Sequence, residues 1–447
     1  MGIFNTNTTK AMVLARQENL VYGIKLSSVG PGRITGSDVV HDPSGMDLAM
    51  KLHYLRGVYF FSSQAAQGLT IVRMKEATFT WLNVHYRTCG RFRRSESGRP
   101  YLKCNDCGVR FLEAQCDKTI EEWLEMDLSH QKLLASNQVI GPELFFSPLV
   151  LFQVTHFRCG GISFGLSWAH VLGDAFAASD FINGLGQIIS ALEPNRLPNY
   201  ATSNTKFQKL ENPPPPLSIK QVNPVGDNWI TPINCKMETL SIPITATQLN
   251  NLQFKILGQN QIDQIPVFEL ISAIIWQCVA KVREGSEPKL VTICRNDPKE
   301  RTRGECSNSQ IISTVKADFS ITDADPKKLA TLLVKQAGNE RSQIEEAMEN
   351  DNGVADFVVY GANLTFVNWE DADFYGLEVK GHKPVYVQYN IQGVGDEGAV
   401  LLLPGPKDFG EGRGEGRVVN IILPEKEVFG LKSELRKNDL LLENELE

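Results

Sequence analysis

Val150-Leu151-Phe152-Gln153-Val154-Thr155-His156-Phe157, Arg158-Cys159-Gly160-Gly161 and Ile162-Ser163-Phe164-Gly165-Leu166-Ser167-Trp168-Ala169 run straight into His170-Val171-Leu172-Gly173-Asp174. Val150, Phe152 and Val154 recur at the period of a strand. A pair of glycines then supplies a turn. Ile162, Phe164, Leu166 and Trp168 alternate again, with Ser163, Gly165 and Ser167 between them. The pattern predicts a β-hairpin whose second strand has one bulky face and one small-residue face. Beyond Asp174, the residues Phe181, Ile182, Leu185, Ile188, Ile189 and Leu192 recur at helical spacing. His170 therefore falls where a strand stops and Asp174 where a helix starts. That junction is where α/β proteins tend to expose reactive side chains.

Further along the chain, Pro194 and Pro198 precede Pro213 to Pro216 in a row. Four successive prolines cannot be helix and favour a stiff, extended connector. Pro266 opens the apolar run Val267 to Val282, hydrophobic nearly all round, which predicts a buried helix. Asp325-Pro326 ahead of Leu329, Leu332 and Leu333 predicts another helix start, with Asp as its cap. The charged end, Leu435 to Glu447, is expected to fray. Strands mixed with helices on both sides of the connector predict an α/β protein of two layered domains, 1–195 and 225–447, joined by a crossover at 196–224.

The 447 residues include 45 basic and 52 acidic side chains, a net charge of −7. Nucleic-acid binders normally carry a basic excess, so no nucleic-acid partner is expected. No run approaches the roughly 18 apolar residues of a transmembrane span; Leu144 to Phe157 is interrupted by Ser147, Pro148, Gln153 and His156. Nine cysteines, with no basic-then-apolar leader, predict reduced thiols rather than a disulfide framework. Cys104 and Cys107 form one CxxC flanked by Cys89 and Cys116, with no second pair at zinc-ligand spacing. A turn carrying two thiols, and no metal, is the expectation. Met1-Gly2-Ile3-Phe4-Asn5-Thr6 fits the myristoylation pattern at Gly2. One acyl chain by itself would give only marginal membrane binding.

Two motif matches fail on context. Gly161-Ile162-Ser163-Phe164-Gly165 has the spelling of a nucleophile elbow, which needs a strand before the serine and a helix after it. Here a turn precedes and a strand follows. Asp408-Phe409-Gly410 is spelled like a kinase magnesium motif, but no phosphate loop accompanies it. His170 sits in a more coherent setting. A histidine titrates near physiological pH and can take a proton from an attacking hydroxyl or amine. A histidine satisfied by core hydrogen bonds has the same spelling. Asp174 could serve chemistry or simply cap the following helix, worth about 1 kcal/mol. Spacing alone leaves both questions open.

The string from Ser167 to Asp174 resembles the HxxxD motif of the plant BAHD family of CoA-dependent acyltransferases. Thr88-Cys89-Gly90-Arg91 resembles that family's early Ala-Gly-Arg turn. Phe268-Glu269-Leu270-Ile271-Ser272-Ala273, with Trp276, resembles the opening of its buried second-domain helix. The resemblance implies two similar-sized α/β domains of the chloramphenicol acetyltransferase type, with a channel between them. Acyl-CoA would enter from one side and acceptor from the other, with no metal and no tightly bound cofactor. It implies His170 as the general base. It also implies Asp174 as a structural acid turned from substrate and paired with an arginine, here Arg295.

The family's second signature, DFGWG ahead of Lys-Pro, falls on Asp373-Phe374-Tyr375-Gly376-Leu377, with Glu378 to His382 inserted before Lys383-Pro384. Loss of the tryptophan is expected to alter the backbone beside the channel and weaken an oxyanion site. Losing one such donor costs roughly 3–4 kcal/mol of transition-state stabilisation. Three longer strings accompany this mixture of an intact and a degraded signature: 46–56, Tyr360-Gly361-Ala362-Asn363-Leu364-Thr365-Phe366-Val367-Asn368, and Gly393-Val394-Gly395-Asp396. Together they resemble the eceriferum or glossy branch. That resemblance implies a protein supporting very-long-chain acyl-CoA elongation for cuticular wax. It would act with the elongase condensing enzyme, a 3-ketoacyl-CoA synthase, at the cytoplasmic face of the endoplasmic reticulum or in the cytosol. On its own it would be a monomer. The alternative is a CoA-dependent acyltransferase using His170 to acylate a hydroxyl or amine.

Overall fold

The computed structural model describes residues 20–126, 128–136, 139–195, 197–198, 214–258, 265–297, 306–335, 338–406 and 416–441. Gly2, most of the proline-rich crossover and Asp408-Phe409-Gly410 lie outside the described residues. Twelve strands, in chain order, make two large sheets: β1 (Val21–Val29), β2 (Tyr54–Phe61), β3 (Val109–Cys116), β4 (Val150–Phe157), β5 (Ile162–Ala169), β6 (Met237–Ile244), β7 (Leu290–Asn296), β8 (Gln310–Lys316), β9 (Leu364–Asn368), β10 (Tyr386–Gln392), β11 (Ala399–Pro404) and β12 (Arg417–Pro424). The first sheet has the order β1-β3-β4-β5-β2-β10, the second β6-β12-β11-β9-β7-β8. Both are mixed: β3 and β4 run parallel in one, β7, β9 and β11 in the other. The chain is α/β with two sheet-containing halves, as the sequence implied.

The hairpin forms as read, with Val150 opposite Trp168 and His156 opposite Ile162. The bulky face of β5 enters the core, where Leu166 and Trp168 are wholly buried. The small face is buried too, under the backbone of residues 133–136. Gln153 donates to Leu133 O (2.6 Å) and Ser167 to Ser136 O (2.9 Å). A Cβ on Gly165 would stand 2.0 Å from Leu134 O. Small residues alternate here because a second layer of chain lies directly on the strand.

Four helices matter for the site: α1 (Gly45–Ala49), α2 (Ile71–Trp81), α3 (Ala175–Ile189) and α4 (Val267–Val282). Pro266 caps α4, whose residues from Phe268 to Ala280 are all buried. Two more helices, α5 (Pro326–Lys335) and α6 (Glu425–Lys437), pack on α4. The expected fraying from Leu435 is corrected as far as Leu441. Leu435, Leu440 and Leu441 lie buried in the second core, giving this end an apolar face to dock.

The halves are laced together. β10 comes from the second half of the chain but completes the first sheet beside β2. Gly57 makes room for it, since a Cβ there would lie 2.5 Å from the Tyr389 ring. The Tyr389 hydroxyl also meets that of Tyr59 at 2.8 Å. A buried ion pair, Lys51 to Asp356 at 2.9 Å, adds a second link, with Lys51 also donating to Ala355 O.

Candidate functional site

Immediately after β5 the chain makes one helical turn, His170–Leu172, and is folded back on the strand by Trp168 Nε1 donating to Gly173 O (2.9 Å). Gly173 has φ +150°, and a Cβ there would meet Ser307 N and Ala177 Cβ at 2.9 Å. Only glycine fits that close approach. His170 N donates to His53 O (3.0 Å), while its carbonyl accepts from Asn308 Nδ2 (2.9 Å). Asn308 is fixed in turn on Asp47 Oδ1 (2.8 Å) at the first turn of α1.

The imidazole itself has no exposed surface. His170 Nε2 lies 3.0 Å from the Tyr360 hydroxyl, which donates its own proton to Gln310 Oε1 (3.1 Å) and so receives that of Nε2. Nδ1 has no hydrogen-bond partner. His53 packs edge-on against Tyr360, with ring centroids 5.0 Å apart, and its Nε2 accepts from Val359 N (3.0 Å). Burial lowers the basicity of His170, opposed in part by the charge of Asp174. Burial also holds the Tyr360 phenol far above its ordinary range. Both shifts favour the neutral forms, and the space beside Nε2 is occupied by a tyrosine. The halves of the chain do meet at His170, but there the meeting is packed.

Asp174 is the N-cap of α3. Its Oδ1 accepts from Phe176 N and Ala177 N (3.1 Å each), and Oδ2 accepts from Ser309 N (3.2 Å). The carboxylate is aimed at backbone amides. The expected pairing with Arg295 is corrected. Arg295, near the end of β7, forms its ion pair with Glu269 at 2.6 Å and lies over the Phe268 ring. Glu269 occupies the first turn of α4, beside that strand end.

The degraded second signature lies elsewhere. Phe374–Gly376 forms a short turn packed on the later half of α3. Asn183 Nδ2 donates to Asp373 O (2.8 Å), and Phe374 stacks on Tyr389 with centroids 4.0 Å apart. A Cβ on Gly186 would come within 2.6 Å of Leu377 Cδ1. Tyr375 is partly buried against the first core, and a Cβ on Gly376 would clash with the Asp373 carboxylate. The inserted residues make a tight hairpin. Val379 bridges to His382 across Lys380 (φ 52°) and Gly381 (φ 81°), and Lys380 N donates to Ser190 Oγ (2.8 Å). At 1.5 Å per helical residue, Asn183 is about 13 Å along α3 from Asp174. Asp373 to Leu377 thus brace the far end of α3.

Sequence reasoning passed over Tyr360, Gln310, Asn308 and His53. Tyr360 opens one of the branch-like strings, but nothing local ties it to a histidine 190 residues away. Among the described residues no group of three His, Cys, Asp or Glu side chains could hold a metal ion, and no helix is long and apolar enough to cross a membrane.

Comparison with known proteins gives three findings. The model of the Transferase family matches residues 42–437. The chain is 41% identical over 426 residues to Protein ECERIFERUM 26 of Arabidopsis thaliana, covering 94% of this chain and 96% of that one. Among solved structures it is similar to vinorine synthase (TM-score 0.71, 17% identity, 93% of this chain and 98% of that one). It is also similar to F. sporotrichioides TRI101 complexed with coenzyme A and T-2 (TM-score 0.66, 15% identity, 89% and 97%).

Proposed function

Because the chain belongs to the BAHD acyltransferase family, and within it to the eceriferum branch, we propose that it supports elongation of very-long-chain acyl-CoA for cuticular wax and does not turn over acyl groups through His170. Its partner in this reading is the condensing enzyme of the fatty-acid elongase, met at the cytoplasmic face of the endoplasmic reticulum. The chain itself is a monomer working as two domains, 1–195 and 225–447, the second lending β10 to the first. Acyl-CoA enters as the ligand to be recognised, a reading supported by the fold shared with a TRI101 crystallised with coenzyme A.

The observation that carries the reading is the 3.0 Å hydrogen bond between His170 Nε2 and the Tyr360 hydroxyl, around an imidazole with no exposed surface. General-base assistance is worth roughly 10²–10⁴ in rate and acts only on a nucleophile within hydrogen-bond reach of the base. Here Nε2 gives its proton to a buried phenol, and Nδ1, which keeps the lone pair, is itself buried out of reach of any nucleophile. Acyl transfer is the second reading. It is favoured by one fact, the retention of histidine at the strand end and aspartate at the helix start.

The test is co-expression with a plant condensing enzyme in yeast, followed by fatty-acid profiling. Longer acyl chains are expected with the wild type and, largely undiminished, with His170→Ala. In parallel, purified protein is offered acyl-CoA donors with fatty alcohols, phenolics and amines while free CoA is followed. Rapid His170-dependent release of CoA on any pair would overturn the reading and establish a conventional acyltransferase.

A further inference from the structure

Phe145 and Phe146 stand in a turn whose backbone is pinned from behind. Arg93 Nη1 donates to Phe145 O (2.9 Å), and Arg91 Nε donates to Phe146 O (3.2 Å). Both arginines belong to the short strand Arg91–Arg94, paired with Pro100–Lys103. Arg91 is itself buried and also donates to Gly90 O (2.7 Å) and Gly108 O (3.0 Å). Ser147 closes the turn, accepting from Gly141 N (2.7 Å) and donating to Glu143 O (2.8 Å). The two rings lie 4.3 Å apart and are 43% and 65% exposed. A loop this firmly held presents two phenylalanines to water by construction, since a collapsible one would bury them.

The surroundings are cationic. Residues 87–103 contain Arg87, Arg91, Arg93, Arg94, Arg99 and Lys103 against one acid, Glu96, in a chain whose net charge is −7. Arg94 is paired with Asp227 and Arg99 with Glu349. Lys103 lies opposite Arg91 across the strand pair, so it shares a face with Arg91 and Arg93. Val40, opposite Lys103 on the next strand, is 52% exposed. The Arg93 guanidinium stands 5.4 Å from the Phe145 ring. Glu143 is the opposing charge in the turn itself.

We propose that this turn is a docking point for an anionic phospholipid surface: the paired rings enter the interfacial layer while Arg93 and Lys103 meet lipid phosphates. Aromatic rings prefer that layer, and cations close to an anionic leaflet add to the attraction. The inference goes beyond the elongation reading, and its test needs no elongation activity.

The purified full-length chain is floated with vesicles of phosphatidylcholine alone, or of equal parts phosphatidylcholine and phosphatidylserine. Binding is expected to the mixed vesicles, weakened by salt as screening requires. It should fall at least tenfold in the double variant Phe145→Ser, Phe146→Ser. The variant Phe145→Trp, Phe146→Trp should retain binding, which separates loss of the rings from loss of the fold. Absence of flotation by the wild type, or equal flotation by the serine variant, would overturn the proposal. So would a serine variant that floats normally but no longer co-purifies with a condensing enzyme in detergent, since the face would then belong to a protein partner.

Discussion

Tyr360 holds two buried polar side chains at once, accepting from His170 Nε2 and donating to Gln310 Oε1. Tyr360→Phe keeps the ring and removes only the hydroxyl, leaving both neighbours unsatisfied in a site without water access. Each buried group stranded in this way costs about 1–3 kcal/mol. The variant is expected to unfold at lower urea by an amount of that order. His170→Ala should be less costly in the Tyr360→Phe background than in the wild type. A double-mutant cycle should therefore return a coupling between about 0.5 and 3 kcal/mol. Strict additivity would mean that the bond contributes nothing to the fold. Asp174 was legible from sequence in one of its two roles: the cap is a local event, formed within three residues. Its supposed arginine was not. The pairing of Arg295 with Glu269 depends on how α4 lies against β7, which no spacing encodes.

The second strand of the hairpin shows how far a pattern reaches at the scale of an element. Alternation predicted β5 and its turn because both are set by neighbouring residues. It gave the small face no purpose. The structure supplies one, because the backbone at Leu134 lies against Gly165. Gly165→Ala is accordingly expected to shift that layer or fail to fold, costing about 3 kcal/mol or more through overpacking of backbone that cannot retreat. Gly338→Ala, with nothing within 4 Å of the added carbon, serves as the control and should melt within about 0.5 kcal/mol of wild type. Thermal melts of the two variants against wild type make the comparison. The same limit applies to the second signature. Its letters point to Asp373–Leu377, but the attachment of that stretch to the end of α3 through Asn183 and Ser190 is tertiary.

Over the whole molecule, buried ionisable groups set opposing pH dependences. Burial pushes His53 and His85 down to about 3 and lowers His170 as well. A histidine with a lowered folded pKa takes up its proton more readily when unfolded. Its contribution is present above the unfolded value near 6.5 and is lost as pH falls below it, by up to about 1.4 kcal/mol per pH unit per group. Glu345 has the opposite sign. Burial, with Asp47 nearby, lifts its carboxyl to about 7. A raised carboxyl favours folding while protonated, and that advantage disappears as pH rises from the unfolded value near 4.5 through 7. Urea midpoints should therefore drop steeply from pH 6.5 toward pH 4. Glu345→Gln should be more stable than wild type at pH 8 and lose that margin by pH 5. A margin independent of pH would show that the carboxyl is not held protonated.

The placement of β10 also bears on how the chain comes off the ribosome. β2 can pair with β5 as soon as residue 169 has emerged, but its other edge stays open until residues 386–392 arrive. Through most of translation the first sheet presents the unpaired backbone of Tyr54–Phe61, an aromatic-rich strand of the kind that recruits foreign strands. Domain-by-domain folding during synthesis, the usual protection for a chain of this length, is thereby denied to the half that carries His170. The nascent protein depends on a chaperone, or on speed, to keep that edge vacant for its own late-arriving strand.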